Sequence, residues 1–185
     1  MSPLGTLRDI ADSELELMRA WRNAPAVRAN MYTQHEISHE EHLDWWQKTK
    51  SRTDTKYFMY EMAGKPEGIA AFTRIDMQNL NSSWAFYASP SAPRGTGSKM
   101  EFLMLEYAFG ALNLNKLYCE VLSFNGAVIK LHQKFGFRIE GVFRRHHKIN
   151  ADFVDIYRLG ILTAEWQLCR SAISDNFITK KESGL

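Results

Sequence analysis

Apolar residues along this chain alternate between a helical and a strand-like spacing, and the switches between the two mark out its elements. Leu17, Met18 and Trp21 share a helical face behind Ser13-Glu14-Leu15-Glu16, which has capping-box form, and Asn23 and Pro25 stop that helix. A short second turn is expected over 26–31. Ser38-His39-Glu40-Glu41 makes another capping box ahead of Leu43, Trp46 and Thr49. Strand-like runs follow: 57–62 is expected to turn at 64–68 and return over 69–75, and 84–88 reads as a third strand ended by Pro90 and Pro93. Met100, Leu103, Met104, Tyr107 and Ala111 then recur at helical spacing. A strand over 117–122, a short helix over 127–135 closed by Gly136, and a last pair of strands over 137–143 and 153–161 complete the pattern. It predicts an α/β (α+β) protein with a mixed, mostly antiparallel sheet, as one domain over 1–174 with a polar tail over 175–185.

Composition narrows the function without choosing it. The 185 residues are 45% hydrophobic and 24% charged, the balance of a globular domain. Lys and Arg number 23 against 21 Asp and Glu, so the net charge is only +2. That argues against a nucleic-acid partner, which needs a concentrated basic face, and leaves room for a local phosphate site. Cys119 and Cys169 match no metal or redox spacing and read as reduced thiols. With no apolar run of membrane length and no leader pattern, a cytoplasmic protein without membrane contact is expected. His35, His39 and His42 hint at a metal, but the cap at Ser38 separates His35 from the other two, so no metal is expected. The basic run Arg144-Arg145-His146-His147-Lys148 reads as a solvated hairpin end.

The chemistry concentrates around Arg94-Gly95-Thr96-Gly97-Ser98-Lys99. A strand running through a glycine-containing loop into a helix gathers backbone N–H groups and the positive end of a helix dipole at one spot, as a phosphate needs. Farther along stands Asn125-Gly126-Ala127-Val128-Ile129-Lys130-Leu131-His132-Gln133-Lys134-Phe135-Gly136-Phe137. In this ordered pair of motifs the chain resembles the GCN5-related N-acetyltransferase (GNAT) superfamily. That superfamily carries Q/R-x-x-G-x-G/A at a pyrophosphate loop and N-x-x-A, then Y-x-x-x-G-F, beyond it. The resemblance implies a sheet splayed at an acetyl-CoA site, with helices on both faces. It also implies acetyl-CoA as co-substrate, with Phe86 and Tyr87 along the pantetheine and Asn125 opposite. His132 stands where many relatives have the Tyr that protonates the departing thiolate, and Lys99 where the loop usually ends in Gly or Ala.

The N-terminal third carries Trp21-Arg22-Asn23-Ala24-Pro25, Arg28, Met31, Thr33, Ile37 and Glu40-Glu41-His42. This set is similar to the branch that acetylates the 4-amino group of a UDP-linked amino-dideoxy sugar in pseudaminic acid biosynthesis for flagellin modification. The resemblance implies a small-molecule nucleotide-sugar acceptor. Arg22 and Arg28 are expected to hold its diphosphate, with Asn23, Met31, Thr33, His42 and Trp46 around the sugar; of the pair Trp45-Trp46, one is expected in the core and one at the rim, with Trp46 near the ligand. His42 is also a candidate for relaying the amine proton, and Glu120 for acting through a water. An N-terminal-amine acetyltransferase of the ribosomal-protein type and a non-catalytic CoA-binding module remain as alternatives, and a homodimer stays open.

Overall fold

The computed structural model describes residues 3–179. Side-chain alternation in strand β2 (Thr55–Met62) explains the layers. Phe58 and Tyr60 point to one face of the sheet, whereas Tyr57 and Met59 point to the other. On the first face the core gathers Phe72 and Trp84 with Met100, Met104, Leu105, Phe135 and Trp166. These last five come from α4 (Thr96–Glu106), the end of α5 (Gly126–Lys134) and α6 (Thr163–Thr179). On the second face Met59 and Ile69 meet Leu15 and Met18 of α1 (Leu15–Asn23) and Trp46 of α3 (His39–Lys50). The sheet thus carries helices on both faces, as expected.

Among the described residues, seven strands are ordered β1-β2-β3-β4-β5-β7-β6. They comprise β1 (Thr6–Arg8), β2, β3 (Lys65–Asp76), β4 (Asn81–Ala88), β5 (Lys116–Leu122), β6 (Arg138–Ile149) and β7 (Asp152–Leu162). Every neighbouring pair is antiparallel except β4 and β5. A four-residue helix, α2 (Pro25–Arg28), follows α1 with Pro25 in its first turn, where proline's missing N–H costs nothing.

Several boundaries differ from the sequence reading. The β2–β3 turn is the pair Ala63-Gly64, both at positive φ, rather than a loop over 64–68. Ser13 does not cap α1. Asp12–Glu14 forms a 3-10 turn instead, and Glu14 accepts from the Ala11 N–H and from Arg8, which also binds Glu61 and anchors β1. Ser38 does cap α3, accepting from the Glu41 N–H. The basic run lies inside β6, where His147 reaches the Tyr32 carbonyl, so it is not merely a solvated hairpin end. Helix α6 has no counterpart in the sequence reading and continues through Asp175 to Thr179, past the start of the expected tail; 180–185 lie outside the described residues. No helix among the described residues is long and apolar enough to cross a membrane.

Candidate active site

The site begins where the sheet fails to close. Strands β4 and β5 pair only between Asn81–Ser83 and Lys116–Tyr118. Beyond that, β4 keeps β3 and β5 keeps β7, and the two part. The gap is a slot of about 320 Å³ lined by 84–88 of β4, 119–122 of β5, Asn125, Val128 and His132, with Asn30 and Tyr32 over it.

Against Phe86 of the slot's lining packs the N-terminus of α4. Gly95 takes φ 93°, a left-handed conformation that favours glycine, and reverses the chain into the helix. Thr96, Gly97, Ser98 and Lys99 are therefore the first helical turn rather than loop, and Arg94 stands exposed before it. The Thr96 N–H bonds the Pro93 carbonyl and the Lys99 N–H that of Gly95, whereas no backbone acceptor is found for the Gly97 and Ser98 N–H groups among the described residues. Gly97 matters for another reason: a Cβ there would lie 3.2 Å from the Phe86 ring, tight enough that the ring would have to give by a few tenths of an ångström. These features fit an anionic pyrophosphate, which needs free N–H groups at a close-packed helix start.

His132 projects from α5 into a buried aromatic nest, with ring centroids 5.3 Å from Trp84, 6.1 Å from Phe86 and 5.2 Å from Phe137. Its Nδ1 is 2.8 Å from Oε1 of Glu101, and both side chains are buried. Burial pushes the Glu101 carboxyl above the ordinary carboxylate range, partly offset by His132. The sequence reading passed over Glu101. A signal existed, because Glu101 lies four residues after Gly97 and four before Leu105, a carboxylate within the buried stripe of α4. Glu120 also lines the slot, yet both its oxygens are engaged, one by Arg158 at 3.0 Å and one by the Tyr32 hydroxyl at 3.3 Å.

A second pocket, about 340 Å³, lies on the α1–α3 side of β4. Phe86 and Tyr87 line both cavities, so the two meet along β4. Arg22, Met31, Thr33 and His42 line it. Arg22 donates Nη2 to the Thr33 carbonyl at 3.3 Å, while its Nη1 is buried with no partner among the described residues. Desolvation lowers the Arg22 pKa, the mark of a cation short of a counter-charge. His42 is buried, and desolvation first, then the Arg19 charge, depresses its pKa, so its imidazole is neutral at pH 7.

Other candidates go elsewhere. Asn23 spans the amide of Ile37, donating to its carbonyl and accepting from its N–H, both at 2.8 Å, so it ties the 30s loop to α1. Arg28 faces Glu36 at 3.8 Å and lines neither cavity. Trp46 is buried beneath the pocket with its indole N–H on Asp12; Trp45, stacked near His42 at 5.3 Å, is the one in the lining. Helix register decides this, because Trp46 falls on the face of α3 that packs with Met18, Met59 and Ile69. His35 and His39 turn to Glu41 and Glu16 rather than towards His42.

Residues 7–157 match the family described as Acetyltransferase (GNAT) domain. The chain is 30% identical over 139 residues to the acetyltransferase PseH of Campylobacter jejuni, covering 75% of this chain and 86% of that protein. It is 23% identical over 161 residues to the spermidine N(1)-acetyltransferase of Escherichia coli, covering 86% of this chain and 87% of that one. The fold matches that of Vibrio cholerae spermidine N-acetyltransferase, solved with CoA and spermine, at TM-score 0.83 and 22% identity over 90% of this chain and 99% of that one. The splayed strands, the helix start and the matched domain lead to one conclusion: the chain belongs to the GNAT family and is an acetyl-CoA-dependent N-acetyltransferase.

Proposed function

We propose that this enzyme acetylates the 4-amino group of a UDP-linked 4-amino-4,6-dideoxy sugar, the step that precedes a nonulosonic acid such as pseudaminic acid in flagellin modification. The observation that carries this reading is Arg22, a half-buried guanidinium in the acceptor pocket whose Nη1 has no partner among the described residues. A buried cation left unpaired costs stability, and an anionic acceptor repays that cost on binding. A polyamine would bring like charge to Arg22. The pocket's one carboxylate, Glu41, is already within 3.0 Å of His35. The similarity to PseH supports the same choice.

In this reading acetyl-CoA lies in the slot, its pyrophosphate at Arg94, Gly95, Thr96, Gly97, Ser98 and Lys99, its pantetheine between Phe86–Tyr87 and Asn125. Arg22 holds the acceptor's diphosphate, and Met31 and Thr33 frame the sugar. Neutral His42 takes the amine proton, a backbone N–H at the open edge of β4 steadies the oxyanion, and His132 protonates the departing sulfur. Glu120, with both oxygens engaged, orients Tyr32 and Arg158 rather than acting as a base. The test is kcat/KM with acetyl-CoA against UDP-4-amino sugars, spermidine and N-terminal peptides. The sugar nucleotide is expected to lead by at least tenfold, and a lead for spermidine or peptide overturns the proposal.

A further inference from the structure

The pair buried behind the slot, Glu101 and His132, is more than a packed ion pair. We propose that Glu101 is a positioning residue that shares a proton with Nδ1 of His132 and so holds Nε2 protonated as the donor to the departing sulfur. This deepens the reading of His132 as the acid and rests on it.

Three observations carry it. The 2.8 Å contact at Nδ1 needs a proton between the two groups and leaves Nε2, for which no partner is found among the described residues, to serve the slot that His132 lines. Oε2 of Glu101 is sealed and has no partner among the described residues, which penalises an ionised carboxylate most. Burial accordingly shifts Glu101 toward its protonated form. The pair is then neutral overall, whether the shared proton sits on Oε1 or on Nδ1, and in both forms Nε2 carries hydrogen. A lone neutral imidazole cannot release its Nε2 proton without becoming an anion. With Glu101 behind it, Nδ1 takes or keeps the shared proton as Nε2 gives one up.

The step balances. The amine nitrogen bonds the acetyl carbon, the C–S bond breaks with its electron pair going to sulfur, and the Nε2 proton goes to that sulfur. Glu101 is left as carboxylate beside a neutral ring. The amine's surplus proton leaves through His42 to solvent, and the pair recovers one proton from solvent. Other groups near the pair do not compete. Cys119 on β5 stays a thiol because burial raises its pKa, and Glu120 is tied to Arg158. Trp84 and Phe86 on β4, and Phe137, do not ionise, and Lys130 and Lys134 on α5 are exposed.

The test compares kcat–pH profiles of the wild type, Glu101→Gln, Glu101→Asp and His132→Phe, with 15N NMR of the imidazole. Gln keeps the shape and one hydrogen bond but cannot pass a proton. Glu101→Gln is expected to lower kcat at pH 8 by roughly ten- to a hundredfold. Its KM for acetyl-CoA should stay within about twofold and its alkaline limb should move to lower pH, on the same principle that only the proton transfer is lost. Glu101→Asp should move that limb back toward the wild type. Profiles of wild type and Glu101→Gln that superimpose, with His132→Phe impaired, overturn the role of Glu101 and spare His132. An unimpaired His132→Phe overturns the acid assignment itself. If Glu101→Gln does not fold, the wild-type spectrum decides: Nε2 still protonated at pH 8 supports the shared proton, and a bare Nε2 there overturns it.

Discussion

The two cavities that meet along β4 are built on different physical terms. The slot lies between two strands that part, with a helix start and a left-handed glycine beside it. The pocket proposed for the acceptor is lined by side chains of α1, α3, the 30s loop and strands β2–β4, some of them positioned by distant contacts such as the Asn23 bridge to Ile37. Backbone recognition constrains glycines at fixed spacing and leaves a motif in the sequence. Side-chain recognition constrains only where a few tips end up, and many sequences satisfy that.

The largest effect that sharpens this contrast is one of stability. Trp46→Ala removes a buried indole and its bond to Asp12, and is expected to cost about 3–5 kcal/mol in chemical denaturation. Trp45→Ala, in the pocket lining, is expected to cost less stability and to raise the acceptor KM instead. Equal stability losses would erase the division between the two tryptophans.

Gly97→Asp attacks the slot alone. The new side chain meets Phe86 and puts negative charge at the free N–H groups of α4. Acetyl-CoA affinity by calorimetry is expected to fall about a hundredfold, roughly 2.7 kcal/mol, with the acceptor pocket unchanged. Undiminished affinity would remove the pyrophosphate from this helix start.

Arg22→Ala attacks the other cavity. Loss of a charge-assisted contact to phosphate, worth about 1.5–3 kcal/mol, should raise the acceptor KM tenfold or more while acetyl-CoA binding holds. Arg28→Ala, facing Glu36, should change it by less than about twofold, because exposed ion pairs contribute little. Parallel losses in the two variants would restore the two-arginine clamp that the sequence suggests.

The smallest effect is a pH dependence of stability. His42 has a folded pKa below its unfolded one, so the unfolded chain binds the proton more readily and stability falls as pH drops through and below about 6.5. His42→Phe should flatten that part of the melting temperature–pH curve. A curve of the same slope would mean that His42 is not held neutral.

Much of the slot was legible in advance, and for a reason found in its residues. Gly95 and Gly136 sit at positive φ, where few other residues are tolerated, and Gly97 packs closely on Phe86. Glu101 was missed because helical periodicity records which positions face inward, not which buried carboxylate meets a histidine 31 residues on. The assignment to Trp46 inverted its neighbour's role, since adjacent residues on a helix differ by only about 100° and a small error in register exchanges core for pocket. Helix α6 went unread because Trp166 and Ile173 are buried by contacts with other elements and its apolar stripe is weak.

By itself, then, the sequence determined most of the elements and the mixed sheet, because local conformational preferences act over a few residues. The tertiary structure alone decided which side chains share a cavity: that Arg22 enters the acceptor pocket and Arg28 does not, and that Glu101 stands behind His132. Those outcomes depend on how whole helices pack across a splayed sheet, where burial and lost solvation set the charge each group can carry.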